Sequence, residues 1–382
     1  MIPYGRQDIS EEDIAAVIEV LRSEYLTQGP QVPAFEDRLA ALSGAAHAVV
    51  VNSATSALHI ACLALGVGEG DRVWTSPITF VASANAARFC GAEVDFVDID
   101  PETYNMCPDY LLAKLERAAA DGTLPKAVIP VHMAGQSCDM ARIYEACSRY
   151  GVRIIEDASH AVGGSYRGER VGGCKYSDIT VFSFHPVKIV TTGEGGAALT
   201  NDTELAESMR LARSHGITRD QTQLEVQGEG PWYYEQQSLG YNYRMTDICA
   251  ALGSSQLDRL DLVVSRRREI AEAYNADFAS LPVTPPQQLP ETASAWHLYI
   301  LRVAPANHRA TFEELRASGI AVNLHYIPVY RQPYYRRLGF IQGYCPNAEA
   351  YYAEAISLPL YPNLAETDRA KVVETVRRAV RS

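Results

Sequence analysis

Lys188 is the residue in this 382-residue sequence best placed for chemistry. It closes the segment Phe182-Ser183-Phe184-His185-Pro186-Val187-Lys188, and Thr191-Thr192-Gly193-Glu194-Gly195-Gly196 follows it. A strand end, a lysine and a glycine-rich turn allow the side chain to point into a cleft between domains. An amine partly desolvated there, or set beside another positive group, has a lowered pKa and becomes a nucleophile. Read alone, such a lysine is far more often a solvated surface side chain, so its partners decide the matter.

The first partner is in Val152-Arg153-Ile154-Ile155-Glu156-Asp157-Ala158-Ser159-His160-Ala161. An apolar strand ending in two acids puts them at the carboxyl edge of a parallel sheet, where ligands bind. One acid there can keep a pyridinium nitrogen protonated, so that the ring accepts electrons from a substrate carbanion. The plainer readings are a loop-capping Asp157 and a Glu156 on the other pleat face. The second partner is Val49-Val50-Val51-Asn52-Ser53-Ala54-Thr55-Ser56-Ala57, a strand, a small polar turn and a helix start. Amides at a helix N-terminus are a ready phosphate site. An ordinary Ser/Thr cap has the same appearance. No Walker loop or G-x-G-x-x-G fingerprint is present, which argues against a nucleotide hydrolase.

The elements that must carry these residues alternate. Strands are expected at 48–51, 72–75, 94–97, 127–131, 152–156, 179–184 and 196–199, with helices at 32–42, 55–65 and 140–150. That alternation predicts an α/β fold with a mostly parallel sheet covered by helices. Ser10 and Asp13 read as a capping box for a first helix whose apolar stripe is Ile14, Val17, Ile18 and Leu21. A long helix is expected from near Thr246. Beyond it come a strand at 298–303, a helix at 310–317, a strand at 322–326 and a final helix at 366–380. The chain is therefore expected to divide into a large domain at 1–245 and a smaller C-terminal α+β domain at 246–382.

Composition narrows the function classes. Apolar residues make up 47% and charged residues 21%, enough for sizeable cores in an ordinary globular chain. The net charge of −12 argues against nucleic acid and anionic membranes as partners. Eight scattered cysteines include no C-x-x-C pair, so reduced thiols are expected and no metal site. The polar start from Met1 to Ser10 lacks a secretory apolar core, and no run reaches membrane-spanning length. A cytoplasmic enzyme is the expectation.

Together, Glu156-Asp157-Ala158, Ser183-Phe184-His185-Pro186-x-Lys188 and Gly193-Glu194-Gly195-Gly196 resemble the sugar aminotransferases of the DegT/DnrJ/EryC1/StrS family. The similarity runs from Ile2-Pro3-Tyr4 through His325-Tyr326 to Ser357-Leu358-Pro359. It implies a fold-type-I architecture dependent on pyridoxal 5'-phosphate, and a homodimer with shared active sites. By resemblance, Lys188 forms the Schiff base with the cofactor and Asp157 pairs with its ring nitrogen. Ala54, Thr55, Ser56 and Ser183 hold the phosphate, Phe80 stacks on the ring, and Asn242 reaches the other subunit's phosphate. His160 stands where many members have glutamine, and its imidazole is expected near the cofactor's 3-oxygen. Relatives with histidine in place of the lysine are dehydratases, and Lys188 argues against that chemistry.

Pro231-Trp232-Tyr233-Tyr234-Glu235 and Leu239-Gly240-Tyr241-Asn242-Tyr243-Arg244-Met245-Thr246-Asp247 are similar to the pseudaminic-acid branch of that family. The resemblance implies amino transfer from L-glutamate to C4 of UDP-2-acetamido-2,6-dideoxy-β-L-arabino-hexos-4-ulose. The product would be UDP-4-amino-4,6-dideoxy-N-acetyl-β-L-altrosamine, with 2-oxoglutarate. A nucleotide sugar needs basic or amide donors for its diphosphate. His215, Arg219, Arg244 and His325 are candidates, with Tyr4, Tyr25 and Tyr326 as walls or hydroxyl donors. Another UDP- or dTDP-keto-deoxyhexose is the alternative substrate. A non-catalytic regulator that binds the cofactor is the alternative of another class, and no DNA-binding helix or basic stretch supports it.

Overall fold

The computed structural model describes residues 1–226 and 228–381. A seven-stranded sheet forms the larger part: β1 (His47–Val51), β2 (Arg72–Thr75), β3 (Glu93–Phe96), β4 (Ala127–Ile129), β5 (Arg153–Asp157), β6 (Ile179–Ser183) and β7 (Gly196–Thr200), in the order β1-β7-β6-β5-β4-β2-β3. From β3 across to β6 every pairing is parallel. Strand β7 runs antiparallel to both its neighbours, β6 and β1. These strands are Val- and Ile-rich and almost fully buried, as strands covered on both faces must be. The carboxyl ends of β1, β2, β5 and β6 therefore meet at one edge, and β7 begins there. Strand β4 stops at Ile129, two residues before the expected end, because Pro130 has no N–H to offer the ladder.

Helices α1 (Glu11–Arg22), α2 (Gln31–Ser43), α3 (Ala54–Ala64) and α4 (Ala82–Phe89) flank this unit. The capping box of α1 is present, with Ser10 N–H donating to Asp13 and Asp13 N–H to Ser10 Oγ. The expected apolar stripe is turned outward, however, with Ile14 43% and Leu21 56% exposed and Asp13 fully buried. Asp13 accepts from Ser255 Oγ (2.6 Å), Gln256 Nε2 (2.6 Å) and Arg259 Nη2 (2.7 Å), and this polar cluster fixes the rotation of α1.

The helix Asp247–Leu257 starts where expected, capped by Thr246, and packs on α1 and α2. The helix Leu260–Phe278 carries the chain onward. Its Leu260, Val263 and Val264 join the core under β1 and β6, while Ile270, Ala271, Tyr274 and Phe278 join a second core. That second core lies around strands Tyr299–Val303 and Ala355–Leu358 and the helices Pro305–Ala317 and Glu366–Ala379, and it includes Ile2. The Leu260–Phe278 helix thus contributes side chains to both cores. The expected strand at 322–326 is irregular. Only Asn323 pairs, with Ser357, because the His325 side chain and carbonyl are taken by Ser357 Oγ and Tyr351 Oη. Among the described residues no helix is long and apolar enough to cross a membrane, and no cluster of metal-ligating side chains occurs.

Candidate active site

Four loops meet at the carboxyl edge of the sheet and enclose a cavity of about 710 Å³. Lys188 lies on its floor, in the connection from β6 to β7. This connection is tied down by Phe184 N–H to Gly195 O (2.9 Å), Thr192 N–H to Phe184 O (3.0 Å) and Lys188 N–H to His185 O (2.8 Å). Lys188 keeps partial solvent contact through the cavity, yet protein surrounds it closely. Burial lowers its pKa to about 7, against the opposing pull of Asp157. A neutral amine is thus accessible near neutrality.

Asp157, at the end of β5, is 4% exposed and faces the same cavity. Its Oδ2 accepts from Ser83 Oγ at 2.6 Å and its Oδ1 from Ser159 N–H at 3.1 Å. Thr79 Oγ1 lies 2.7 Å from Ser83 Oγ, so a chain of hydroxyls backs the carboxylate. Glu156 points to the opposite face of the sheet, as strand alternation requires. There it accepts from Ser177 Oγ (2.5 Å) and meets His132 Nε2 (2.7 Å), away from Lys188.

The turn between β1 and α3 forms a third wall. Ser53 caps α3 by accepting Ser56 N–H at 3.1 Å. The Ala54 and Thr55 N–H groups have no acceptor among the described residues and face the cavity rim. Ser56 itself turns inward and donates its hydroxyl to Asn52 Oδ1 at 2.7 Å, so it shapes the turn without lining the cavity. Ser183, at the end of β6, lines the cavity beside this turn. Strand β7 approaches so closely that a Cβ on Gly196 would lie 2.5 Å from Ala54 N. Only glycine permits that contact.

Phe80 is 59% exposed at the cavity mouth, with its ring centroid 6.3 Å from that of Tyr326. Tyr4, His160, His325 and Tyr326 complete the lining expected from the sequence. His325 donates or accepts between Ser357 Oγ (2.8 Å) and Asn323 Nδ2 (3.3 Å), and burial followed by Lys188 lowers its pKa to about 3. The imidazole of His160 meets Tyr326 Oη at 3.3 Å.

Besides Ser56, five expected residues lie outside this cavity: Tyr25, His215, Arg219, Asn242 and Arg244. Asn242 pairs with Ser214, Arg244 pairs with Val51, and His215 N–H donates to Tyr241 O. Arg219 stands over the Tyr234 ring at 5.8 Å, and Tyr25 is 52% exposed. The structure also adds residues that the sequence did not single out. Ser83 reaches Asp157, and His297, Asn323 and Ser159 line the cavity. No spacing marks Ser83, His297 and Asn323, because each comes from a segment remote from its partner, whereas Ser159 sits two residues after Asp157 and reaches it by its backbone N–H.

The residues present fit pyridoxal phosphate. A nucleophilic amine, a carboxylate for a ring nitrogen, a cradle of free amides and a hydroxyl for a phosphate, and an exposed aromatic ring all border one cavity. The comparisons agree. The model of the DegT/DnrJ/EryC1/StrS aminotransferase family matches residues 7–377. The spore coat polysaccharide biosynthesis protein SpsC of Bacillus subtilis is 41% identical over 387 residues, spanning 100% of this chain and 97% of its own. Spr1654 of Streptococcus pneumoniae, described as a sugar aminotransferase and solved in its PMP-form, superposes with a TM-score of 0.90 at 32% identity, over 100% of this chain and 99% of its own. Helicobacter pylori PseC, an aminotransferase of pseudoaminic acid biosynthesis, superposes equally, with a TM-score of 0.90, 32% identity and the same coverage of 100% and 99%. This chain belongs to the DegT/DnrJ/EryC1/StrS aminotransferase family, as a fold-type-I sugar aminotransferase whose cofactor is pyridoxal phosphate.

Proposed function

We propose that the protein transfers the amino group of L-glutamate to C4 of UDP-2-acetamido-2,6-dideoxy-β-L-arabino-hexos-4-ulose, giving UDP-4-amino-4,6-dideoxy-N-acetyl-β-L-altrosamine and 2-oxoglutarate. The observation that carries the reading is the buried amine of Lys188 sharing one cavity with Asp157. Pyridoxal phosphate supplies an electron sink that stabilises a carbanion next to the transferred nitrogen.

The chain's own residues do the rest. Lys188 would hold the cofactor covalently, and its amine would be the group that moves the proton at the substrate carbon. Asp157 would keep the ring nitrogen protonated. Ala54, Thr55 and Ser183 bind the phosphate, Ser56 shapes that turn, and Phe80 covers the ring. Tyr4, His325 and Tyr326 line the space above for the sugar.

Tyr25, His215, Arg219, Asn242 and Arg244 serve the cavity of a second copy, in a homodimer with shared sites. Two facts support this assignment: they lie outside their own chain's cavity, and the segment 215–244 that carries four of them also exposes Trp232 (74%) and Leu239 (80%). The choice of sugar is supported by the likeness to PseC. The likeness to SpsC, at higher identity, favours a second reading in which another UDP- or dTDP-4-keto-deoxyhexose is aminated for a surface polysaccharide.

The purified protein, loaded with pyridoxal phosphate and given glutamate with a panel of nucleotide keto-sugars, tests both readings. NMR of the products should show C4 amination with L-altro stereochemistry. Turnover of a different sugar alone would replace the first reading by the second. An absence of any glutamate-dependent loss of the cofactor's imine absorbance would reject both.

A further inference from the structure

The turn at 133–135 packs behind the cavity-lining His160 in a conformation that side chains rarely adopt. Ala134 has φ +59° and Gly135 follows at +106°. Three neighbours fix it. Met133 N–H donates to Asn105 Oδ1 (2.8 Å), Leu298 N–H donates to Ala134 O (3.2 Å), and Ala295 N–H donates to Gly135 O (3.0 Å). A Cβ on Gly135 would lie 2.8 Å from Trp296 N and 3.0 Å from His160 O, so the turn has no room to shift.

Held this way, Ala134 aims its N–H at His160 Nδ1, 3.3 Å away. A ring nitrogen that accepts carries no hydrogen, so these partners assign the imidazole hydrogen to Nε2. Burial, then Lys188 and His325, lowers the His160 pKa well below its ordinary value, so the ring stays neutral. The Nε2 hydrogen then goes to Tyr326 Oη at 3.3 Å. Tyr326 Oη accepts, and its own hydrogen has no acceptor among the described residues. The phenol stays protonated, because burial followed by Asp157 raises its pKa. Tyr326 borders the cavity that holds Lys188.

We propose that the relay Ala134–His160 orients Tyr326 to donate its hydroxyl hydrogen to an oxygen of the molecule bound beside Lys188, with His160 as the positioning residue. The proposal rests on the aminotransferase reading above and deepens it. It also revises the expectation for His160, whose imidazole hydrogen is committed to the phenol and not to the cofactor directly. Two oxygens share the required chemistry, the 3-oxygen of the cofactor and the carbonyl oxygen of the keto-sugar. Donation to either one stabilises negative charge as it gathers there.

The test compares the full-length, cofactor-loaded protein with His160→Gln, His160→Asn, Tyr326→Phe and the double variant His160→Asn/Tyr326→Phe. A glutamine amide nitrogen reaches the place of Nε2, whereas asparagine reaches only the place of Nδ1. Two readouts are followed, the pH midpoint of the bound cofactor's absorbance and the KM and kcat for the keto-sugar. His160→Asn and Tyr326→Phe should each move the same readout, by about tenfold or one pH unit, with the double variant no worse than the worse single and His160→Gln within about threefold of wild type. A moved midpoint identifies the cofactor oxygen as acceptor. An unmoved midpoint with altered sugar kinetics identifies the sugar carbonyl. Additive losses, or a His160→Gln as damaged as His160→Asn, overturn the relay while leaving the activity intact. A wild-type protein that never converts glutamate instead removes the activity, and the relay with it.

Discussion

Ser83 Oγ donates to Asp157 Oδ2 at 2.6 Å, which ties the first turn of α4 to the end of β5 across 74 residues of sequence. The bond fixes the carboxylate of Asp157 toward the cavity, and Thr79 stands behind it. Ser83→Ala should weaken cofactor binding by about tenfold, since one hydrogen bond to a charged group is lost. Ser83→Thr should retain most of the affinity. Fluorescence titration of the cofactor-free protein measures both. Equal affinity in Ser83→Ala would show that the hydroxyl does not orient Asp157.

The lowered pKa of Lys188 predicts a pH dependence for cofactor capture. The amine attacks only when neutral, so the capture rate should rise with pH and level off above about 7, where the shifted amine has lost its proton. A solvated lysine would continue to gain up to about pH 10. Stopped-flow absorbance of pyridoxal phosphate mixed with the cofactor-free protein measures this profile. Lys188→Ala should remove the capture phase and all transamination. Borohydride reduction of the loaded wild type, followed by peptide mapping, should mark Lys188.

Phe80 exposes 59% of its surface to the cavity mouth, so its removal should leave the fold nearly untouched. Phe80→Ala is expected to change unfolding free energy by less than about 0.5 kcal/mol and to lower cofactor affinity by up to about tenfold. A large loss of stability would show that the ring is a packing element first.

Arg259→Ala tests the cluster that rotates α1. Asp13 is fully buried, and removing its arginine should destabilise the protein by about 2 kcal/mol in denaturant unfolding. Burial alone would raise the Asp13 pKa, but Ser10, Ser255, Gln256 and Arg259 together lower it. A lowered carboxyl pKa contributes stability above its ordinary value, which is lost as pH falls through the folded one. Arg259→Ala should therefore move acid unfolding to higher pH. An unchanged acid midpoint would remove Asp13 from the account.

Shared sites can be tested by mixing. Lys188→Ala and Arg219→Ala, each inactive or weak alone, should form mixed dimers with one intact site. Random mixing then restores about a quarter of wild-type activity. No recovery would place Arg219 and Lys188 in the same chain's site.

The legible parts of the fold are those written in short, continuous runs. Strand β2 is read residue for residue because the β-formers Val73, Trp74 and Thr75 stand between Gly70-Asp71 and Ser76-Pro77, both turn formers. Lys188, Asp157 and the Ser53–Thr55 turn are readable because each sits inside a distinctive local segment at a strand end. What escaped reading is set by partners far away in sequence. Ile14 and Leu21 look like a buried stripe until Asp13 finds Arg259 on another helix. Ser83 and His297 carry no local mark, and only the folded chain brings them to Asp157 and His160. The 322–326 run has the composition of a strand, yet Ser357 and Tyr351 capture His325 and interrupt it.

Strand β7, the one element that runs against the rest of the large sheet, makes the Lys188 segment a loop staked at both feet in adjacent strands. The connection at 184–195 is pinched at its base by Phe184 with Gly195 and Thr192, which leaves it little freedom to sway, and the amine is parked before any guest arrives. Whatever opening and closing accompanies turnover must then be carried by the other walls, while this floor stays still.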